Sequence, residues 1–442
     1  MNPPYALALD IGTRYARLAV ARPGAGPPRP VSLPGDVPGE GLPLSAAVRG
    51  RPVAALREAY GTCVARYGPP AGAVVVLPRR TARESAGPAT AALAEAGCPR
   101  VRAIGTAHAL LALVRHTAGV ADAGTGEYLV CDAGARAADT ARCMLAGPSV
   151  LLRATAAASG PTGRLGAELD AALLAAAGLP DDDEGHRGLA AARLDDPGGR
   201  RLGFAVARAV HQPDPGDDIP VHRLGDRDVT AGTVRACLPP LIDAVRQALD
   251  EVAAPPGAAE QPPLLLAGGL ARLAPLTRQL AERHRLLPLP AGVDPGYAAA
   301  AGGALVAAGL ADPGDRYPYA LRIRTHRRTA GRLHTGELEL APAGSLEPGG
   351  ATVFAAADGR PAQVLPDAAA GRPLRIEAVG PDGRPSPFPD VTLSAGTPDG
   401  LCRVGVRVGA DGVAALVLRP VTDGAEAETR LPLGPLPVPP ET

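Results

Sequence analysis

Two stretches of this chain carry the same design. Tyr5 to Ala21 (YALALDIGTRYARLAVA) reads as a strand, a tight turn at Gly12 and a second strand. Residues 127–145 repeat it as the strand YLVCD, a turn at Gly134 and the strand DTARCML. In both copies an Asp closes the first strand and a Gly stands two residues on. A chain built around two such hairpins can set them facing each other across a cleft, with turn N–H groups presented to phosphate and a carboxylate to hydrated Mg²⁺. Asp10-Ile11-Gly12-Thr13 and Asp132-Ala133-Gly134 have the residues for it. A third glycine turn, Gly268-Gly269, follows the apolar run Leu264 to Leu266, where missing side chains would let a sugar or base approach the backbone.

The intervening text alternates strand and helix, which indicates α/β organisation. Helical spacing runs from Arg51 to Tyr67, Ser85 to Ala96, Ala107 to Arg115, Arg164 to Ala177, Val229 to Val252 and Ala298 to Ala308. Short buried-strand runs are Ala73 to Leu77, closed by Pro78, and Val101 to Ile104. Residues 1–310 therefore form one α/β domain, and 311–317, rich in Pro and Gly, form a linker. From 318 to 432 the pattern changes to short alternating runs separated by Gly, Pro and Asp, which is an all-β module. Residues 433–442 are a proline-rich tail, disordered or extended.

Composition narrows the chemistry. The 442 residues are 46% apolar, enough for two cores. Formal charge balances to zero, with 45 basic and 45 acidic residues, so neither nucleic acid nor an anionic membrane surface is an expected partner. Every basic residue is Arg, which excludes a lysine phosphate clamp, a Schiff base or a P-loop. The six cysteines show no metal-ligand spacing and read as reduced core thiols. The opening residues lack a basic, cleavable leader and no apolar run is long enough to span a bilayer, so a cytoplasmic protein is expected.

The order and spacing of these motifs resemble the Hsp70 family of the actin/Hsp70/sugar-kinase superfamily. Asp10 to Arg14 is similar to that family's first phosphate loop, Asp132 to Asp139 (DAGARAAD) to its second, and Gly268-Gly269-Leu270-Ala271-Arg272 to its adenosine loop. LGAELD (Leu165 to Asp170) and the stretch Asp294 to Ala304 resemble two further family segments. The resemblance implies a two-lobed, ribonuclease H-like nucleotide-binding domain for ATP or ADP. Asp10 and Asp132 would hold Mg²⁺ through water, and Asp10, Asp132 and Asp139 would be the catalytic carboxylates. Gly12, Thr13, Arg14, Gly134, Ala135 and Arg136 would surround the phosphates; Gly268, Gly269 and Arg272 the adenosine, with Arg272 stacked on adenine. Arg208 is the nearest counterpart of a base-flanking Lys. Arg136 either reaches the phosphates or faces solvent.

Departures from the family are equally informative. The catalytic Lys is absent, Gly105 to Ala109 carries no carboxylate where the family has a Glu, and GGGT of the second loop is replaced by GARA. Phosphoryl transfer depends on such positioned charges and donors, so hydrolysis is expected to be slow or absent. Phe354 to Val364 and Val406 to Leu418 resemble segments of the Hsp70 peptide-binding β-sandwich, without its helical lid. This implies a polypeptide client or partner enzyme bound through the C-terminal module. A small-molecule enzyme reusing the cleft, and a scaffold that binds nucleotide without turnover, stand as alternatives.

Overall fold

The computed structural model describes residues 5–24, 26–117, 126–146, 149–159, 163–194, 218–224, 226–253, 261–314, 316–330, 332–347, 350–357, 359–366, 373–379, 385–388, 391–393, 397–409, 413–421 and 428–437. The fold is mixed α/β in two compact units: Met1–Ala123, Glu127–Cys143 and Thr155–Pro313 make the first, and Gly124–Gly126, Met144–Ala154 and Gly314–Thr442 the second. The division after Pro313 falls within the expected linker. Residues 144–154 join the second unit, an excursion that periodicity does not reveal.

The first unit holds two sheets with a common plan. In one, β1 (Ala6–Ile11) pairs antiparallel with β2 (Tyr15–Ala21) and parallel with β5 (Gly72–Leu77), which pairs parallel with β6 (Val101–Gly105). The short strands β3 (Arg29–Pro30) and β4 (Leu42–Pro43) extend it beside β2. In the other sheet, β7 (Gly126–Ala133) lies between β8 (Ala138–Ala146) and β12 (Leu264–Ala267). β9 (Ser149–Ala158), of which residues 155–158 belong to this unit, follows β8 in the strand order, and β13 (Leu286–Leu287) pairs parallel with β12. A separate hairpin joins β10 (Pro220–Leu224) and β11 (Arg227–Thr230). The motif spacing anticipates the hairpins at Gly12 and Gly134, but β9 and β10 carry no distinct sequence signal.

The alternation in β1 decides which helices cover each face. Leu7 and Leu9 pack with α1 (Pro52–Tyr67) and α2 (Arg79–Glu95) in one buried cluster. On the opposite face, Ala8, Ala19 and Ala21 meet Ala300 and Ala304 of α8 (Ala298–Ala307). Small residues on both partners let the helix approach closely. A Cβ on Gly303 would stand 2.7 Å from Val76 Cγ2, and one on Gly302 would overlap the carbonyl of Ala109 in α3 (Thr106–Thr117).

The remaining helices are α4 (Leu165–Ala176), α5 (Asp183–Leu194), α6 (Ala231–Val252) and α7 (Ala274–Ala281), with α4 packed on α5 and α6, and α5 on β10. Along α6 the buried positions Val234, Leu238, Leu241, Ile242, Val245, Ala248 and Leu249 recur at three and four residues, while Pro239 and Pro240 face outward. Val229 and Thr230, expected in that helix, belong to β11; the Thr230 hydroxyl instead caps it by accepting from the Thr233 N–H at 3.4 Å. Among the described residues no disulfide joins any of the six cysteines, five of which are buried, and burial raises the thiol pKa values of Cys63 and Cys98.

The second unit contains two larger antiparallel sheets. One has β14 (Ala320–Thr329) between β15 (Arg332–Ala341) and Ile376–Val379. The other runs through Val353–Phe354, Cys402–Val408, Val413–Pro420 and Thr429–Pro435. Inward residues Leu321, Ile323, Leu340 and Ile376 of the first sheet share one core with Val404, Val406, Leu416 and Leu431 of the second. Tyr317, the last residue of the expected linker, is fully buried in that core. Residues 433–435, expected as tail, finish a paired strand because Leu431 and Leu433 point into the same core.

The α3–α8 contact tolerates no side chain at Gly302. Gly302→Ala should destabilise the first unit by about 2 kcal/mol or more through overpacking. Gly61→Ala, in α1 where a Cβ meets nothing within 4 Å, should stabilise by about 0.5–1 kcal/mol from helix propensity. Urea unfolding followed by far-ultraviolet circular dichroism measures both; equal midpoints would refute the close approach.

Candidate functional site

The two hairpin turns are built alike. Gly12 N–H donates to Tyr15 O at 3.0 Å, and Gly134 N–H donates to Ala137 O at 2.9 Å, closing Gly-Thr-Arg-Tyr and Gly-Ala-Arg-Ala respectively. Each Asp occupies the penultimate position of its strand: Asp10 pairs with Val76 of the parallel neighbour, and Asp132 with Ala267. Thus the sequence recurrence is also a recurrence of turn geometry and strand position.

Glycines bring the remaining pieces onto these turns. Gly268 has φ +89°, and a Cβ there would collide with Asp132 Oδ1 and Ala133 O. Only glycine combines that conformation with that proximity. The start of α4 lies against the second turn, with Leu165, Gly166 and Ala167 N–H groups donating to Arg136 O at 3.1 Å, Gly134 O at 3.4 Å and Ala135 O at 2.9 Å. A Cβ on Gly166 would be 3.1 Å from Gly134 O and 2.9 Å from Leu270 Cδ2. This explains the glycine in LGAELD: it lets α4 bond the turn carbonyls directly.

Within the first unit a cavity of about 830 Å³ is lined by Asp10, Gly12, Thr13, Arg14, Asp132, Asp139, Gly134, Ala135, Arg136, Gly268, Gly269 and Arg272. These residues come from three separated stretches of chain, and all were singled out from the sequence. Arg208 lies outside the described residues. Arg136 is exposed at the tip of its turn, and His108 is buried in α3.

The charges are arranged less simply than the motifs imply. Arg14 Nη2 donates to Asp181 Oδ1 at 3.0 Å, and its Nη1 lies 3.9 Å from Asp183, which also pairs with Arg49 at 2.7 Å. The His186 Nε2 contact at 2.6 Å, followed by Arg14 and Arg164, holds the Asp181 carboxyl below the usual carboxylate range. Arg272 donates to Asp294 through Nε at 3.1 Å and Nη2 at 2.6 Å, to Glu40 Oε1 through Nη1 at 2.8 Å, and to Gly39 O. These bonds all lie along the guanidinium edge, whereas stacking would use a face. A Cβ on Gly296 would stand 3.1 Å from Arg272 Cζ, so that glycine makes room for the guanidinium.

Arg17, Glu40 and Arg193 escaped the motif reading, and Asp170 and Asp294 lie in segments that it named without giving them a site role. Arg17 lies opposite Asp10 in the β1–β2 register and donates from Nη2 to Glu40 Oε2 at 3.0 Å. Arg193 donates to Asp170 at 2.6 Å. An available signal was the full repeat, DIGTRYAR against DAGARAAD, in which Arg17 takes the place of Asp139. Glu40 carried no comparable signal, because its role depends on a loop folding back onto Arg17 and Arg272.

Desolvation dominates at Asp10. Burial pushes its pKa up to about 6, partly opposed by Arg17. The folded protein therefore holds this proton more tightly than the unfolded chain, and the stability associated with it is present below pH 4 and lost as pH rises to about 6. In magnesium-free buffer, Asp10→Asn should become more stable relative to the unmodified protein over this range, by on the order of 2–3 kcal/mol. Urea midpoints at successive pH values measure the difference; a pH-independent difference would contradict the raised Asp10 pKa.

Among the described residues no helix is long and apolar enough to cross a membrane, and no group of three or more His, Cys, Asp or Glu side chains is arranged to hold a metal ion directly. Compared with known proteins, the chain matches no family model and no curated protein.

Proposed function

We propose that the first unit is a two-lobed, actin/Hsp70-type nucleotide-binding domain that takes ATP or ADP in this cavity, and that the chain is a divergent Hsp70-like protein of the cytoplasm. The observation carrying this reading is the convergence of both Asp-Gly turns and the Gly268-Gly269 turn on one cavity. Its volume is in the range of small-molecule and cofactor sites. Turn N–H groups and the Thr13 hydroxyl suit phosphate oxygens, while the glycines at 268 and 269 leave backbone accessible to a sugar.

Magnesium fits the donor set through its own water shell. Asp10 and Asp132 are hard oxygen donors, one from each turn, which suits a cation that keeps its waters. Bound there, the ion would neutralise phosphate charge. Asp139 would orient water, and Asp10 and Asp132 would hold the metal's water ligands. With no Lys anywhere and no carboxylate between Gly105 and Ala109, the charges needed at a transferring phosphoryl group are missing. Binding therefore outlasts turnover, and the protein is at most a slow ATPase.

We further propose that the second unit binds a polypeptide client or a partner enzyme. Its support is the pair of antiparallel sheets sharing one core, together with the two β segments that resemble the Hsp70 peptide-binding module. The binding partner and the effect of nucleotide on it are separate experimental quantities: a ligand alters a conformational equilibrium only through differential affinity for its states.

Calorimetric titration with ATP and ADP, with and without Mg²⁺, tests the cavity assignment. Both nucleotides should bind, and phosphate release over hours should stay close to background. Asp10→Ala and Asp132→Ala should each weaken the Mg²⁺-dependent component by about tenfold, the scale of a charge-assisted hydrogen bond. Failure of either nucleotide to bind, or unchanged affinity in both variants, would remove the assignment. Rapid turnover would instead refute the inference from the missing catalytic charges.

A further inference from the structure

A buried guanidinium stands where the two hairpin designs differ in charge. Arg17 occupies the position in the first repeat that Asp139 occupies in the second, and both line the cavity. The side chain is only 14% exposed. It lies between two glycine turns: the point where a side chain on Gly12 would begin is 3.9 Å from Arg17 Nη1, and the corresponding point on Gly269 is 3.5 Å from Nη2. Both glycine turns therefore run alongside this cation.

Most of its hydrogen-bonding capacity is unused. The bond from Nη2 to Glu40 is the one Arg17 makes among the described residues, and its buried Nε has no partner. A guanidinium has five N–H donors, and leaving them unsatisfied in a desolvated site is costly. Glu40 shares its other oxygen with Arg272, at 2.8 Å, so one carboxylate holds both arginines. Six carboxylates and seven arginines line the cavity, and Glu40, Asp10 and Asp132 are the carboxylates that act on Arg17. An anionic ligand approaching the Gly12 and Gly269 turns would meet Arg17 beside both.

We infer that Arg17 is a phosphate-binding residue of this cavity, whose guanidinium exchanges its bond to Glu40 for the diphosphate of a nucleotide. The inference rests on the nucleotide-binding reading and adds a metal-independent component to it. Arg17 supplies a binding cation from the second strand of the hairpin, distinct from the catalytic lysine that the chain lacks. Glu40 acts as the resident competitor, since a carboxylate and a phosphate oxygen accept the same guanidinium donors. A phosphate can offer more acceptor oxygens to Nε and Nη1 than the single Glu40 contact does.

Calorimetry of the full chain in EDTA, with ADP, adenosine and inorganic pyrophosphate, tests this. Arg17→Met should weaken ADP binding by about tenfold or more while changing adenosine affinity by less than about twofold. Arg17→Lys should retain part of the ADP affinity, and Glu40→Gln should increase it by a few-fold by removing the competing carboxylate. Unchanged ADP affinity in Arg17→Met, or equal losses for ADP and adenosine, would overturn the phosphate role. If Arg17→Met does not fold, unchanged or weakened ADP binding in Glu40→Gln overturns it. Pyrophosphate binding that depends on Arg17, in a protein that binds no ADP, would support the anion site and reject the nucleotide reading. Binding of neither would reject both.

Discussion

Close approach between backbones is the constraint from which the first unit follows. Gly268 lies on the carboxylate of Asp132, Gly166 brings α4 onto the carbonyls of the second turn, and Gly302 lets α8 meet α3 at the backbone. Each contact replaces side-chain packing with the proximity of polar main chain, where small displacements matter because interiors are close-packed. The cavity is consequently a product of omitted side chains as much as of those present. Leu7 and Leu9 secure one face of β1 by conventional packing, while Ala8 on the other permits the helix to come close.

That geometry concentrates charge. Two carboxylates arrive from equivalent strand positions, and arginines arrive from β2, from the turn after Gly268 and from the hairpin tips. In such a partly desolvated space a carboxylate without close compensation shifts toward its neutral form, as at Asp10. A carboxylate with good donors shifts the other way, as at Asp181 beside His186 and Arg14. The two behaviours coexist because burial and pairing are separate local terms. Glu40 compensates Arg17 and Arg272 together, and so links strand β2 to the turn after β12.

The second unit uses a different economy of residues. Its strands alternate valine or leucine with polar positions, so that one face of each sheet enters a common core. Short runs such as Val353–Phe354 gain their place only by pairing with Cys402–Val408. The proline-rich end joins the fold for the same reason: Leu431 and Leu433 supply apolar anchors on a strand at the sheet edge, where proline's missing donor is tolerated.

Much of the candidate site was legible before any fold was known. Asp10, Gly12, Asp132, Gly134, Gly268 and Gly269 announce themselves because turn geometry restricts residue choice locally, and the same restriction applies in both hairpins. The helical stripe of α6 was readable because one buried face requires a fixed spacing, although its first turn yielded to strand β11. By contrast, β9 is a weakly patterned run whose place depends on β8. The Arg17–Glu40–Arg272 connection was also hidden: 232 residues separate Glu40 from Arg272, and their bond exists only because the chain returns to the cavity. Sequence alone determined which turns could form and which charges were available, since those depend on local stereochemistry and residue identity. Tertiary structure decided which charges meet, because electrostatic pairing depends on distance and burial across the fold.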